Sequence, residues 1–205
     1  MTTGKRVRKS AEERKFEIVT AALKLADKSG PDRVTTETLA DAVGLTHAGL
    51  FRHFPRKISI WEAVAEYIGE QMEIRWARAE RTNSDAPDTR LRELLLSQLR
   101  LIRTFPAIPA LLFSRELQIE NEQLRKDFGV LMKRFHERLK NSIQDAQAEK
   151  IFRADLSADD TAYLLISLIQ GLTVRWSVSA HRFSLLKEGE RLIDLQLHSL
   201  RLPRK

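Results

Sequence analysis

Cysteine is absent from the chain, which removes disulfides, thiolate zinc sites, iron–sulfur clusters and cysteine nucleophiles together. The lack suits a reducing, cytoplasmic setting. No run of roughly 18 consecutive apolar residues occurs, and no apolar segment of about seven follows the basic N-terminus, so neither a membrane span nor a secretion signal is expected. Glycine and proline are scarce, at 8 and 6 residues, and strict apolar–polar alternation never reaches strand length. Catalytic signatures are missing as well. There is no HExxH, GxxxxGK or GxGxxG, and none of the five histidines follows a Glu by three positions, as a di-iron carboxylate bundle would need. No catalytic residue, metal ligand or cofactor is assigned, and the chain is not expected to be an enzyme. A serine–histidine site without a motif and a helical scaffold for protein partners remain as alternatives.

What is present is helical. Of 205 residues, 42% are hydrophobic, enough for a core without a metal or disulfide staple, and they recur at spacings of three and four almost throughout. The expected fold is all-α, with nine helices. Ser10 and Glu13 form a capping-box pattern ahead of Phe16, Val19, Ala22, Leu23 and Ala26, and Ser29-Gly30-Pro31 ends that helix. Thr35 or Thr36 caps a short second helix that stops at Gly44, and Thr46 caps a third that runs to about Phe54. A long fourth helix carries Trp61, Val64, Ala65, Ile68 and Met72 to about Arg81, followed by a loop from Thr82 to Asp88. Leu91 to Ile102 gives the fifth helix, Pro106 and Pro109 break the path, Ala110 to Gln118 supplies the sixth, and Leu124 to Ile143 the seventh. Ser157 caps the eighth, and Phe183 to about Leu200 forms the ninth.

The net charge of +7 is uneven: residues 1–60 hold twelve Lys and Arg against seven Asp and Glu. Lys5, Arg6, Arg8, Lys9, Arg14 and Lys15 make a basic entry to a small domain, which suits a polyanion partner, although a solvated tail has the same composition. The stretch that directs this charge is Thr35 to Lys57, TTETLADAVGLTHAGLFRHFPRK. It reads as a short helix, a tight turn on Gly44 and a second short helix. Such a unit lays its second helix in the major groove while the first crosses the backbone.

Thr36, Leu39, Ala40, Ala42, Val43, Gly44, Leu45, Leu50, His53, Phe54 and Lys57 stand where the signature of the TetR (tetracycline repressor) family places them, and the segment resembles that family closely from residue 10 to about 68. LFSREL, IQGL and the final amphipathic helix extend the likeness. The resemblance implies a three-helix DNA-binding domain over 10–56, behind a basic disordered arm over 1–9, and an effector-binding and dimerisation domain over 57–205. By position it places Thr36 and Lys57 on phosphates and His47 and Ala48 at base edges, with Arg52, His53 and Arg56 as backbone candidates; Thr46, at the helix N-terminus suited to phosphate, Gly49 and Phe51 complete the expected DNA-binding set. Two residues depart from the family pattern. Phe51 stands where Tyr is usual, and Gly49 where Thr is frequent, so both positions lose a side-chain group that could meet DNA.

One recognition helix reads few bases, so a homodimer on a pseudo-palindromic double-stranded DNA operator is expected, with half-sites about 34–36 Å apart. The family layout suggests that Leu165, Ile169, Leu172 and Trp176 with Leu192, Ile193, Leu197 and Leu200 form the dimer interface, unless those stripes pack within one subunit. A small-molecule effector, unidentified, would sit among Phe105, Phe113, Phe128, Met132, Phe135 and Trp176, residues that equally fill a core. The expectation is a transcriptional repressor released from its operator by that effector.

Overall fold

The computed structural model describes residues 9–81 and 86–202, which form ten α-helices and a 3-10 turn. The helices are α1 (Ala11–Ser29), α2 (Thr36–Ala42), α3 (His47–His53), α4 (Lys57–Glu80), α5 (Pro87–Thr104), α6 (Ala107–Phe113), α7 (Arg115–Glu120), α8 (Glu122–Ala148), α9 (Ala158–Val178) and α10 (Leu185–Leu200). The only extended pairing among the described residues is an isolated bridge between Phe152 and Arg201. No described helix is long and apolar enough to cross a membrane.

The expected all-α fold is present, with one helix more than the nine anticipated. The sixth splits at Ser114, whose extended backbone (φ −66°, ψ 107°) ends α6 while its hydroxyl accepts from Leu117 N and caps α7. Pro109 does not break the path as expected, because it lies in the first turn of α6, where no intrahelical N–H is required of it. The loop expected through Asp88 is shorter at its end: Pro87 and Asp88 open α5, with proline at the first helical position. Thr82 to Asp85, and residues 1–8 of the basic arm, lie outside the described residues. Lys9 pairs with Glu17. The face expected for α1 shifts slightly, since Phe16 is half exposed and Ile18 takes its place in the core.

α1, α2 and α3 pack together, and α1 also rests on α4 and α6. α4 continues away from them to meet α5 and α8. Its expected stripe of Trp61, Val64, Ala65, Ile68 and Met72 is buried, and Trp76 extends it. The Trp76 ring stacks on Phe135 at 5.3 Å and its Nε1 donates to Gln98 Oε1 at 3.3 Å. Gly69 lets α8 close in, since a Cβ there would lie 3.1 Å from Leu131 Cδ2. Burying an aromatic or aliphatic side chain of this size stabilises the fold by about 1.5–3 kcal/mol.

α10 is held against α5 and α9. Arg92 on α5 donates to both oxygens of Asp194, at 2.6 and 3.0 Å, and to Glu190 at 2.6 Å. The bonds from Arg92 hold the Asp194 carboxyl below the usual carboxylate range. Gly189 lies at the closest approach, where an added Cβ would overlap Leu99 Cδ1 and stand 3.3 Å from Leu172 Cδ2. Leu99 is fully buried, so relieving the overlap requires repacking within the core. Gly189→Ala should therefore destabilise the fold by about 1–3 kcal/mol, read as a lowered denaturant midpoint; an unchanged midpoint would mean that α10 is loosely held.

Candidate DNA-binding site and effector cavity

The second helix begins at Thr35, whose side chain accepts from Thr38 N, so Thr36 is the first helical residue and not the cap. After α2 the chain reverses through Gly44, at φ +63°, a left-handed conformation that costs a residue with a Cβ about 1–2 kcal/mol. Gly44 N donates to Asp41 O and Leu45 N to Ala40 O, which closes the turn. Thr46 then caps α3, accepting from Gly49 N at 3.0 Å. Leu39, Ala40, Leu50 and Phe54 are buried beneath the two helices.

This packing leaves one face of α3 outward. His47, Ala48 and Arg52 are exposed, as are Arg56 and Lys57 where α4 starts; His53 and Phe51 are half buried. Gly49 is buried, and the direction of its missing side chain is inward, 3.1 Å from Thr46 Oγ1 and 3.6 Å from Leu45 Cβ. A Cβ at this position would press first on the Thr46 cap. Phe51 meets the His47 ring edge-on at 4.7 Å.

His47 is also held from α2. Its Nε2 lies 3.0 Å from Thr36 Oγ1 and 3.3 Å from Glu37 Oε1. The Glu37 carboxyl sits below its usual range, first through its own backbone N–H and then through the Thr35 hydroxyl, with the nearby imidazole contributing less. The two residues that the sequence assigned separately, Thr36 to phosphate and His47 to bases, are thus one hydrogen-bonded pair. No spacing rule in the sequence signals that contact.

Beyond α3, a partly open cavity of about 30 Å³ lies among α4, α5, α6, α8 and α9, far below the roughly 300–1,000 Å³ of a ligand pocket. Of the six residues expected around an effector, Phe113, Met132 and Phe135 line this cavity, together with Ile169, Gln98, Gln170 and Thr173. Phe105, Phe128 and Trp176 do not line it. Phe105 meets Tyr67 edge-on at 5.7 Å, Phe128 is core, and Trp176 donates to Phe183 O at 3.1 Å while stacking on His181. α6 both walls this cavity and packs on α1 and the 3-10 turn Pro31–Arg33. At its end Ser114 Oγ donates to Asp32 Oδ1 at 2.6 Å.

The residues expected at a dimer interface are turned inward. Leu165, Ile169, Leu172, Trp176, Ile193, Leu197 and Leu200 are buried within the chain, and Leu192 is half buried. The helical period puts the neighbouring stripe outside instead: Leu164 is 62% exposed, Val178 83% and Leu195 63%, with Gly171 exposed between them. The nearly continuous apolar run from Tyr163 to Ile169, broken only by Ser167, was the sequence signal that α9 carries apolar residues on more than one face.

Two family models match the chain. Bacterial regulatory proteins of the tetR family match residues 18–64, and the C-terminal domain of BetI-type transcriptional repressors matches residues 87–201. The chain belongs to the TetR family. The nucleoid occlusion factor SlmA of Marinomonas sp. (strain MWYL1) is 29% identical over 159 residues, 78% of this chain and 80% of that one. The ketosteroid transcriptional regulator KstR2 of Mycobacterium tuberculosis shares the fold with a TM-score of 0.79 at 16% identity, covering 97% of this chain and all of its own. AibR, solved with isovaleryl coenzyme A and operator DNA, does so with a TM-score of 0.73 at 18% identity, covering 93% of this chain and all of its own.

As a TetR-family protein the chain is a DNA-binding regulator, built on a family and fold of regulators rather than enzymes. Among the described residues no group of three or more His, Asp or Glu stands together as a metal site. The orientation of α3 in this TetR-family chain depends on its turn and cap. Thr46→Ala should cost about 0.5–2 kcal/mol and Gly44→Ala about 1–2 kcal/mol, measured by chemical unfolding of the purified protein. No loss in either variant would contradict the geometry described for this turn.

Proposed function

We propose that the chain is a dimeric transcriptional repressor that binds a pseudo-palindromic operator and is released by a small-molecule effector. The observation that carries the DNA half of this reading is the outward face of α3. His47, Ala48 and Arg52 stand clear of the core at the start and middle of a capped helix, beside Arg56 and Lys57. In this reading His47 and Ala48 meet base edges, Thr36, Arg52, His53, Arg56 and Lys57 meet the phosphate backbone, and Phe51 braces His47. The DNA-binding domain ends near residue 56, and the effector and dimer domain takes the remainder.

Dimerisation is assigned to the outer stripe of α9 and α10, Leu164, Gly171, Val178 and Leu195, rather than to the inner one. A four-helix arrangement of two such pairs would cover apolar surface that a single chain leaves in water. Coupling is assigned to α6. A ligand that widens the cavity must displace this wall, and the wall bears on α1 and, through Ser114, on Asp32. The result is a shift toward dimers whose two α3 helices are wrongly spaced for the operator.

Relatives named as nucleoid occlusion factors favour a second reading, in which the DNA-bound protein acts away from promoters. Selection of genomic fragments with purified protein separates the two: a few fragments upstream of genes support the repressor, and many dispersed sites support the alternative. Within that selection His47→Ala should narrow the gap between selected and random DNA by about 1–3 kcal/mol. Lys57→Ala should weaken both alike and reduce the slope of log affinity against log salt by about 1. Failure to enrich any fragment at low salt would overturn both readings.

The interface assignment has its own test. Leu164→Glu combined with Leu195→Glu should give monomers in sedimentation and lower operator affinity by at least about 100-fold, because half of the contacts must then bind unassisted. A dimer that survives both changes would place the interface elsewhere.

A further inference from the structure

The cavity behind α6 is walled without a single formal charge. Its polar atoms belong to three neutral side chains. Gln98 Oε1 accepts from Trp76 Nε1, so its amide nitrogen is the end left to meet a ligand. Thr173 donates its hydroxyl to Gln170 O at 2.9 Å, which turns the oxygen of Thr173 into an acceptor. Gln170 is half exposed and carries both a donor and an acceptor. The acidic residues of α4, among them Glu62, Glu66, Glu70 and Glu73, line a separate open groove on the far side of Leu131, not this cavity.

We propose that the effector is an uncharged amphiphile: an apolar body with a single hydrogen-bonding group that Gln98, Gln170 or Thr173 receives. This rests on the reading of the cavity as the effector site. An ammonium or carboxylate entering here would lose its hydration and find no opposite charge, which is the costly case for burial. A neutral hydroxyl or carbonyl would exchange its water for an amide or hydroxyl partner. At about 30 Å³ the space holds no such molecule as it stands, so binding must move a wall. Phe113 is the movable part: it ends α6 at the Ser114 break and is 53% exposed. Met132, unbranched and half buried, yields on the opposite side. The same displacement that admits the ligand therefore acts on the helix that touches the DNA-binding domain.

The test uses the full chain with three probes of equal length, 1-octanol, octanoate and octylammonium. It reads the melting temperature and the affinity for a DNA fragment selected by the protein. 1-Octanol should raise the melting temperature and weaken DNA binding, with each ion at least about 100-fold weaker as a ligand. Gln170→Glu, at a half-exposed position that tolerates a carboxylate, should improve octylammonium binding at least about 10-fold and leave octanoate weak. An ion that binds wild type as well as 1-octanol does would overturn the ligand class while leaving the effector site in place. Octanol binding without loss of DNA would support the ligand class and defeat the coupling. No shift with any of the three, or unchanged affinities in Gln170→Glu, would overturn the inference for this cavity.

Discussion

The apolar stripe of α4 is buried against two different partners along its length, and most of the molecule is positioned by that double burial. Towards its middle Tyr67 meets Phe16 of α1 edge-on at 5.5 Å. Further along, Gly69 backs onto Leu131 of α8, and Trp76 lies between Phe135 of α8 and Gln98 of α5. Arg138 closes the far end, pairing with Glu73 and Glu80 while its guanidinium lies 5.5 Å from the Trp76 ring centroid. A close-packed interior does not deform by small local amounts. α4 thus joins α5 and α8 on one side to α1 on the other, and α1 packs on α2 and α3.

α6 supplies a second, shorter path between the same two regions. It is brief because Ser114 breaks it, and that break is used twice: the hydroxyl caps α7 and also reaches Asp32. The cavity wall thus meets α1 and the 3-10 turn through one short helix, tied at its end by the Ser114–Asp32 hydrogen bond. At 7 residues it is far shorter than α4 with 24 or α8 with 27. A neutral ligand suits such a site, because apolar contact can open the wall without any ion pair having to form.

Much of this was legible in the sequence where the chain must obey local rules. The caps at Ser10, Thr46 and Ser157, the left-handed turn at Gly44 and the stripe Trp61 to Met72 follow from residue type and period alone. The exposed face of α3 follows from Leu50 and Phe54 facing inward. What was not legible concerns choices between adjacent faces and contacts between distant residues. α9 is apolar on more than one side, so periodicity could not tell that Leu165 and Ile169 face the chain's own core while Leu164 faces out. Pro109 reads as a breaker from composition, yet the first turn of a helix accepts it. The Thr36–His47 and Ser114–Asp32 bonds join residues whose pairing no spacing rule encodes. Three of six aromatic and methionine candidates line the cavity because side-chain size is a weaker guide than the helix that carries it.

The central claim is that two copies of α3, held at a fixed spacing, read DNA. It is tested most directly by hydroxyl-radical footprinting of the full chain on a selected fragment. Two protected patches related by a dyad, one helical turn of DNA or about 34–36 Å apart, are expected. Protection of a single unsymmetric patch, or uniform protection without a dyad, would contradict it.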